Sequence, residues 1–254
     1  MHQLPLDQLA LVTIQTSLLV ALTARIWSAA LYRVYPYFFS YLVAVLLQVL
    51  ILSAVPFRGG AYPDIWVGTQ ALIVCFSVLI VVELYRVIFR DLPGIASVSR
   101  RYIKITVVVG ILVSLFLFRF EETPANYVST FLVIERGIDF SLVLFILLVS
   151  GFLTYYPVSL NRNVVVYAIG YAFFFLIKAT ALFIRTVGHY VAPQISTILM
   201  VVFSLCLLFW LLGLNRQGET RTVVIGHKWN TDDEERLLSQ IKAINANLMN
   251  VTHK

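Results

Sequence analysis

Charge is scarce in this sequence and cysteine nearly absent. Only 13% of its 254 residues are Asp, Glu, Lys or Arg, and only two are Cys. A soluble domain carries about 25% charged residues, so there is too little charge here to solvate a surface of ordinary size. Cys75 and Cys206 both sit inside apolar runs, which implies neither a disulfide framework nor a Cys-based metal site. Four histidines (His2, His189, His227, His253) fall outside or at the edges of those runs, so no paired axial ligands for haem face each other. Nucleophile-elbow, P-loop and GxGxxG patterns are missing too, and no cofactor or metal is implied. These absences argue against an enzyme.

What is abundant is apolar surface. Sixty per cent of the residues are hydrophobic and the mean hydropathy is +0.87, against about 45–50% apolar in soluble domains. No water-soluble fold hides that much, so lipid is the solvent for most of the chain. Seven runs are long enough to cross a hydrocarbon core of about 30 Å: Leu9–Leu31, Tyr37–Pro56, Ile65–Val87, Tyr102–Phe120, Tyr127–Leu153, Val164–Ile184 and Ile195–Leu214. Pro36, Gly59-Gly60, Pro63, Pro93-Gly94, Pro124, Pro157 and Pro193 punctuate the gaps. The first run lacks a basic flank and a cleavage site, and is read as a retained helix rather than a signal peptide.

The net charge of +6 points to orientation and not to nucleic acid. One set of loops and helix ends carries Arg25, Arg33, Arg86, Arg90, Arg100, Arg101, Lys104, Arg162, Arg216 and Arg221. The other carries only Arg58, Arg119 and Arg185, beside Asp64, Glu121 and Glu122. The positive-inside rule makes the first set cytoplasmic. The expected fold is therefore an all-α integral membrane protein of the cell membrane. It is a seven-transmembrane helix bundle over residues 1–214, N-terminus outside and C-terminus in the cytoplasm, with a cytoplasmic tail over 215–254.

Charges within the spans are the best functional pointers, since each costs at least about 2.5–3.5 kcal/mol at the bilayer centre unless paired or hydrated. Glu83 and Arg86 lie roughly 27–32 Å from the outer start of the third span, level with Arg25. They are expected to form interfacial ion pairs that fix helix ends. Glu135, Arg136 and Asp139 lie roughly 12–18 Å inside the fifth span, too deep to snorkel easily. Glu135 and Asp139, four apart, share a face, while Arg136 points about 100° away. Lys178, roughly 9 Å below the outer end of the antiparallel sixth span, comes nearly level with Glu135. An intramembrane network of these four follows. It reads either as an ion- or proton-coupled site open to the outside, or as a buried pairing that sets helix register.

Pro63 and Pro193 precede the last helix of two triplets of spans, Tyr35-Pro36 echoes Tyr156-Pro157, and Pro193-Gln194 opens the seventh span. A three-plus-one-plus-three plan resembles that of small sugar-efflux and PQ-loop transporters. Proline's general preference for loop ends accounts for the same residues and is the reading preferred. A rhodopsin needs a lysine midway along its last helix, and the seventh span has none. Glu83-Leu84-Tyr85-Arg86 is only a scrambled likeness of the receptor Asp-Arg-Tyr motif.

In the tail, Thr222-Val223-Val224-Ile225 is strand-like, and Thr231-Asp232-Asp233-Glu234 is a capping box opening a helix over about 231–251. Leu237, Ile241, Ile244, Leu248 and Val251 form a heptad seam about two heptads long, too short to stand without a partner. The function expected from these features is that of a non-enzymatic seven-helix protein, a receptor-like module or accessory subunit. It would act through a protein partner or its own copy at the tail helix. The alternative is a small ion- or proton-coupled transporter or channel using Glu135, Asp139 and Lys178.

Overall fold

The computed structural model describes residues 6–56, 60–90, 127–155, 158–187, 192–225 and 231–252, with five isolated positions between 105 and 116. The chain is all-α apart from one small sheet. The long helices are α1 (Leu6–Ser28), α2 (Pro36–Ala54), α3 (Tyr62–Ile88), α4 (Tyr127–Tyr155), α5 (Arg162–Val187) and α6 (Ala192–Gly213), followed by α7 (Thr231–Thr252) in the tail. Five of them, α1, α2, α3, α5 and α6, are long and apolar enough to cross a membrane. The 29 residues of α4 cover about 43 Å at 1.5 Å each, and this helix carries Glu135, Arg136 and Asp139. The expected span Tyr102–Phe120 lies, but for five positions, outside the described residues.

Local chemistry explains the helix ends. Pro36 opens α2 at its first position, where a missing N–H costs nothing and a fixed φ helps. Pro63 and Asp64 open α3 in the same way, with the acid on the positive end of the helix dipole. Ala30 closes α1 in a left-handed conformation (φ 56°), and a single 3-10 turn, Leu31–Arg33, swings the chain into α2. Within the helices, Thr16, Thr23, Ser77, Ser141 and Ser204 each donate to the carbonyl four residues back. That satisfies hydroxyls in helices that have little water to offer them.

The six long helices close into a ring: α1 packs on α2 and α6, α2 on α3, α3 on α4, α4 on α5 and α5 on α6, while α3 also reaches α5. The middle of the ring is aromatic. Phe38 meets Tyr167, Tyr171 and Trp210 at centroid separations of 5.0–5.7 Å, and Tyr171 lies 4.6 Å from Trp210. All of these rings are fully buried. Gly170 lets α5 and α6 approach there, since a Cβ would run into the Trp210 indole. The outside is the reverse of a soluble protein's: Leu50, Leu148, Phe173, Leu205 and Leu212 stand exposed along its flanks.

One end of the bundle is fastened by β structure. Val158–Asn161 (β1), between α4 and α5, pairs antiparallel with Thr222–Ile225 (β2), which follows α6. The strand-like character of Thr222–Ile225 was visible in its β-branched residues. Its partner was not, because Val158–Asn161 follows Pro157 and alone looks like a loop.

Candidate functional site

The chain places polar side chains at two levels. The first lies roughly 9–18 Å from the end of the bundle where α1, α3, α4 and α6 begin. There Lys178 of α5 reaches two carboxylates of α4, with Nζ 2.7 Å from Glu135 Oε1 and 2.9 Å from Asp139 Oδ2. Glu135 and Asp139 stand one helical turn apart, so a single ammonium spans both. The second oxygen of Asp139, Oδ1, is buried and has no hydrogen-bond partner. Asp139 has no exposed surface and Glu135 only 2%, whereas Lys178 keeps 14%. The lysine therefore stands between the acids and open space. Arg136 is also buried, offset by about 100° on the same helix.

A chain of amides continues this network. Gln70 of α3 donates to Glu135 Oε1 at 2.7 Å, and Gln48 of α2 donates to Gln70 Oε1 and to Thr69 Oγ1, each at 3.1 Å. These groups border a cavity of about 210 Å³, whose polar lining is Gln15, Tyr41, Gln48, Gln70 and Lys178 and whose apolar wall includes Phe174 and Phe203. Gln15 Oε1 is buried without a partner. Five helices of the ring contribute Gln15 (α1), Gln48 and Tyr41 (α2), Gln70 (α3), Lys178 (α5) and Phe203 (α6), and α4 supplies the acids behind the lysine. The amide layer was not anticipated from the sequence. Its signal was there: the first three apolar runs contain one glutamine each, Gln15, Gln48 and Gln70, and helical rise brings them to one depth.

Chemically, one ammonium facing two carboxylates leaves the bridged trio with one excess negative charge, with the buried Arg136 guanidinium nearby on the same helix. At low dielectric an excess charge is costly unless a proton or a cation offsets it. Among the described residues no three His, Cys, Asp or Glu side chains gather as a metal site.

The second level is at the opposite end. Glu83, 3% exposed, accepts from the backbone N–H groups of Tyr37 (2.9 Å) and Phe38 (3.2 Å) and from the Tyr167 hydroxyl (3.1 Å). A carboxylate from α3 thus caps the start of α2, where helical amides lack partners. The sequence pointed to ion pairing with Arg25 and Arg86. Arg25 donates through Nε to the Leu214 carbonyl at 3.1 Å, closing the end of α6, while Arg86 lies exposed and its charge acts on Glu83 from one turn away. Helix ends present whole sets of unpaired amides and carbonyls, which buried charges satisfy directly.

Beyond it, Glu219 gathers three donors: the Tyr35 hydroxyl at 2.9 Å, Asn163 Nδ2 at 2.6 Å and Asn161 Nδ2 at 3.4 Å. Asn163, fully buried, also donates to the Asn215 carbonyl at 2.8 Å. Gly218 sits so close that a Cβ would overlap Asn163 Oδ1. Burial first, and then the Glu219 carboxylate, push the Tyr35 hydroxyl far above its ordinary range, so it stays a neutral donor. This knot joins β1, the start of α5 and the segment after α6, and sequence reading missed it because its members are 184 residues apart at the widest.

In the tail helix, Ile241 is buried within the single chain and Ile244 is 44% exposed. The side chains of Leu237, Leu248 and Val251 lie outside the described residues. Compared with known proteins, the chain matches no family model, no curated protein and no solved structure.

Proposed function

We propose that this chain is a non-enzymatic seven-span protein of the cell membrane, N-terminus outside, that takes a small solute into the amide-lined cavity and couples its passage to a proton or cation at Asp139. The observation that carries the proposal is the placement of Lys178, which lines the cavity on one side and holds two sealed carboxylates on the other. A ligand that draws on the ammonium changes the balance at Asp139, and a proton or cation on Asp139 changes what the ammonium offers the ligand. The basic residues at the Glu83 end, against few at the cavity end, support a cavity facing outward. The span needed to complete seven in this reading is Tyr102–Phe120, the fourth in chain order.

The test is solute-dependent proton movement into vesicles reconstituted with the full chain, followed with a pH-sensitive dye. Coupled proton entry is expected, and Asp139→Asn should keep solute binding while losing the proton signal. Proton movement that ignores Asp139→Asn would sink this mechanism. A second reading, action through a partner at the tail, is favoured by one observation: Ile244 of the heptad seam remains exposed. Because Ile241 is already covered by its own chain, the seam offers only a partial face to such a partner. Deleting residues 229–254 and measuring the mass of the complex by native electrophoresis checks it, and an unchanged monomer in both forms would count against it.

A further inference from the structure

The solute can be narrowed by what the cavity wall presents. We infer that it is a small, uncharged, polyhydroxylated molecule, an inference that rests on the ligand-cavity reading above.

Three features lead there. First, the wall mixes donors and acceptors in close quarters. Gln15 Oε1 is a buried acceptor in need of a donor, and Gln48 uses its N–H groups on Thr69 and Gln70, leaving its oxygen as an acceptor. Lys178 makes two contacts with carboxylates and has three N–H groups, so one is left to donate. A hydroxyl gives and takes a hydrogen bond at one atom, and several on one carbon skeleton match such a wall. Second, the wall disfavours net charge on the solute. The acids are sealed behind the lysine, so a cationic solute too large to pass it meets the ammonium first. An anion that approaches the ammonium also approaches two carboxylates already bound to it, and like charges at that distance in low dielectric repel strongly. Third, Phe174 and Phe203, with centroids 5.1 Å apart, offer apolar surface to the C–H faces that polyols retain between their hydroxyls.

Size sets the scale. The cavity of about 210 Å³ is far above the roughly 10–15 Å³ that holds a single water, which leaves room for a small polyol.

Two measurements on the full chain in lipid nanodiscs test the inference and separate it from the cavity reading beneath it. The first asks whether water reaches the cavity, by reacting Gln48→Cys, in a Cys75→Ser, Cys206→Ser background, with a charged maleimide. The second is calorimetric titration with erythritol, xylitol and glucose, set against acetate, glycine and ethanolamine. The expected result is a labelled thiol, saturable binding of at least one polyol and none of the charged solutes. That affinity should fall at least five-fold in Gln15→Leu and in Gln48→Leu, and less in Gln48→Asn, which keeps an amide and reports on folding. A labelled thiol with binding only of a charged solute, or of nothing in the panel, overturns the ligand class and leaves the cavity. An unlabelled thiol with no binding overturns both.

Discussion

The charge arithmetic at Lys178 makes an asymmetric prediction. Replacing Lys178 by Met keeps most of the side-chain volume and removes the ammonium from between two carboxylates that are 2% and 0% exposed. Removing one partner of a buried ion pair costs about 3–5 kcal/mol, because the charge left behind has neither water nor a counter-ion. Asp139→Asn does the opposite. It leaves Lys178 paired one to one with Glu135, still supported by Gln70, and it removes the excess negative charge while keeping an amide oxygen that can accept from the lysine. Its expected cost is below about 1.5 kcal/mol, the size of one net hydrogen bond. The double variant should then be more stable than Lys178→Met alone by about 2 kcal/mol, a coupling typical of residues in direct contact.

The assay is reversible unfolding of the purified protein in mixed micelles, titrated with a denaturing detergent and followed by circular dichroism, for the four members of the cycle. If Asp139→Asn is as damaging as Lys178→Met, the trio is not over-supplied with negative charge and the reasoning fails. If the two substitutions simply add, the carboxylates do not share the lysine.

Gly170→Ala should destabilise by about 1–3 kcal/mol, because the new methyl meets the buried Trp210 indole. Gly68→Ala, where nothing lies within 4 Å, should be neutral or gain about 0.5–1 kcal/mol; equal effects in the same unfolding assay would contradict the packing described. Glu83→Ala removes the acceptor of two helix-start amides and a buried tyrosine hydroxyl, for an expected loss of about 2–4 kcal/mol at about 1.5–3 kcal/mol per charged hydrogen bond, less compensation by water. Arg86→Ala, at an exposed position, should stay within about 0.5 kcal/mol, and a larger loss would restore the ion-pair expectation. Glu219→Ala should loosen the segment after α6, seen as faster tryptic cleavage at Arg216 or Arg221; unchanged cleavage would mean that the β1–β2 pairing alone holds it.

The sequence was a good guide wherever one helix could be considered alone. Apolar run length located five helices suited to crossing a membrane, and depth arithmetic brought Lys178 level with Glu135 before any contact was known. It failed where a partner came from far along the chain. Nothing near Glu83 says that it caps α2 rather than pairing with Arg86, since that depends on how α2 and α3 cross. Val158–Asn161 becomes a strand only because Thr222–Ile225 arrives beside it. The glutamines are an intermediate case. Each is unremarked in its own apolar run, and only a comparison of depths across several helices reveals a layer.

The two polar levels differ in kind, and the difference bears on function. At the Glu83 and Glu219 end, both carboxylates and the buried Asn163 amide are closed by backbone or side-chain partners, and a network satisfied in this way resists rearrangement. At the cavity end, Gln15 Oε1 and Asp139 Oδ1 remain open and one lysine serves two acids. Between them lie the fully buried rings of Phe38, Tyr167, Tyr171 and Trp210, of which the Tyr171 hydroxyl and Trp210 Nε1 are also without partners. A molecule that had only to be rigid would have no use for that unsaturation, which costs stability at every unfilled position. The arrangement suits one that must stay open at the cavity while closed beneath it. Under the proposed function, a passage to the far side would require Phe38 and Tyr167 to part, and because Tyr167 donates to Glu83 such a movement would also disturb the α2 cap.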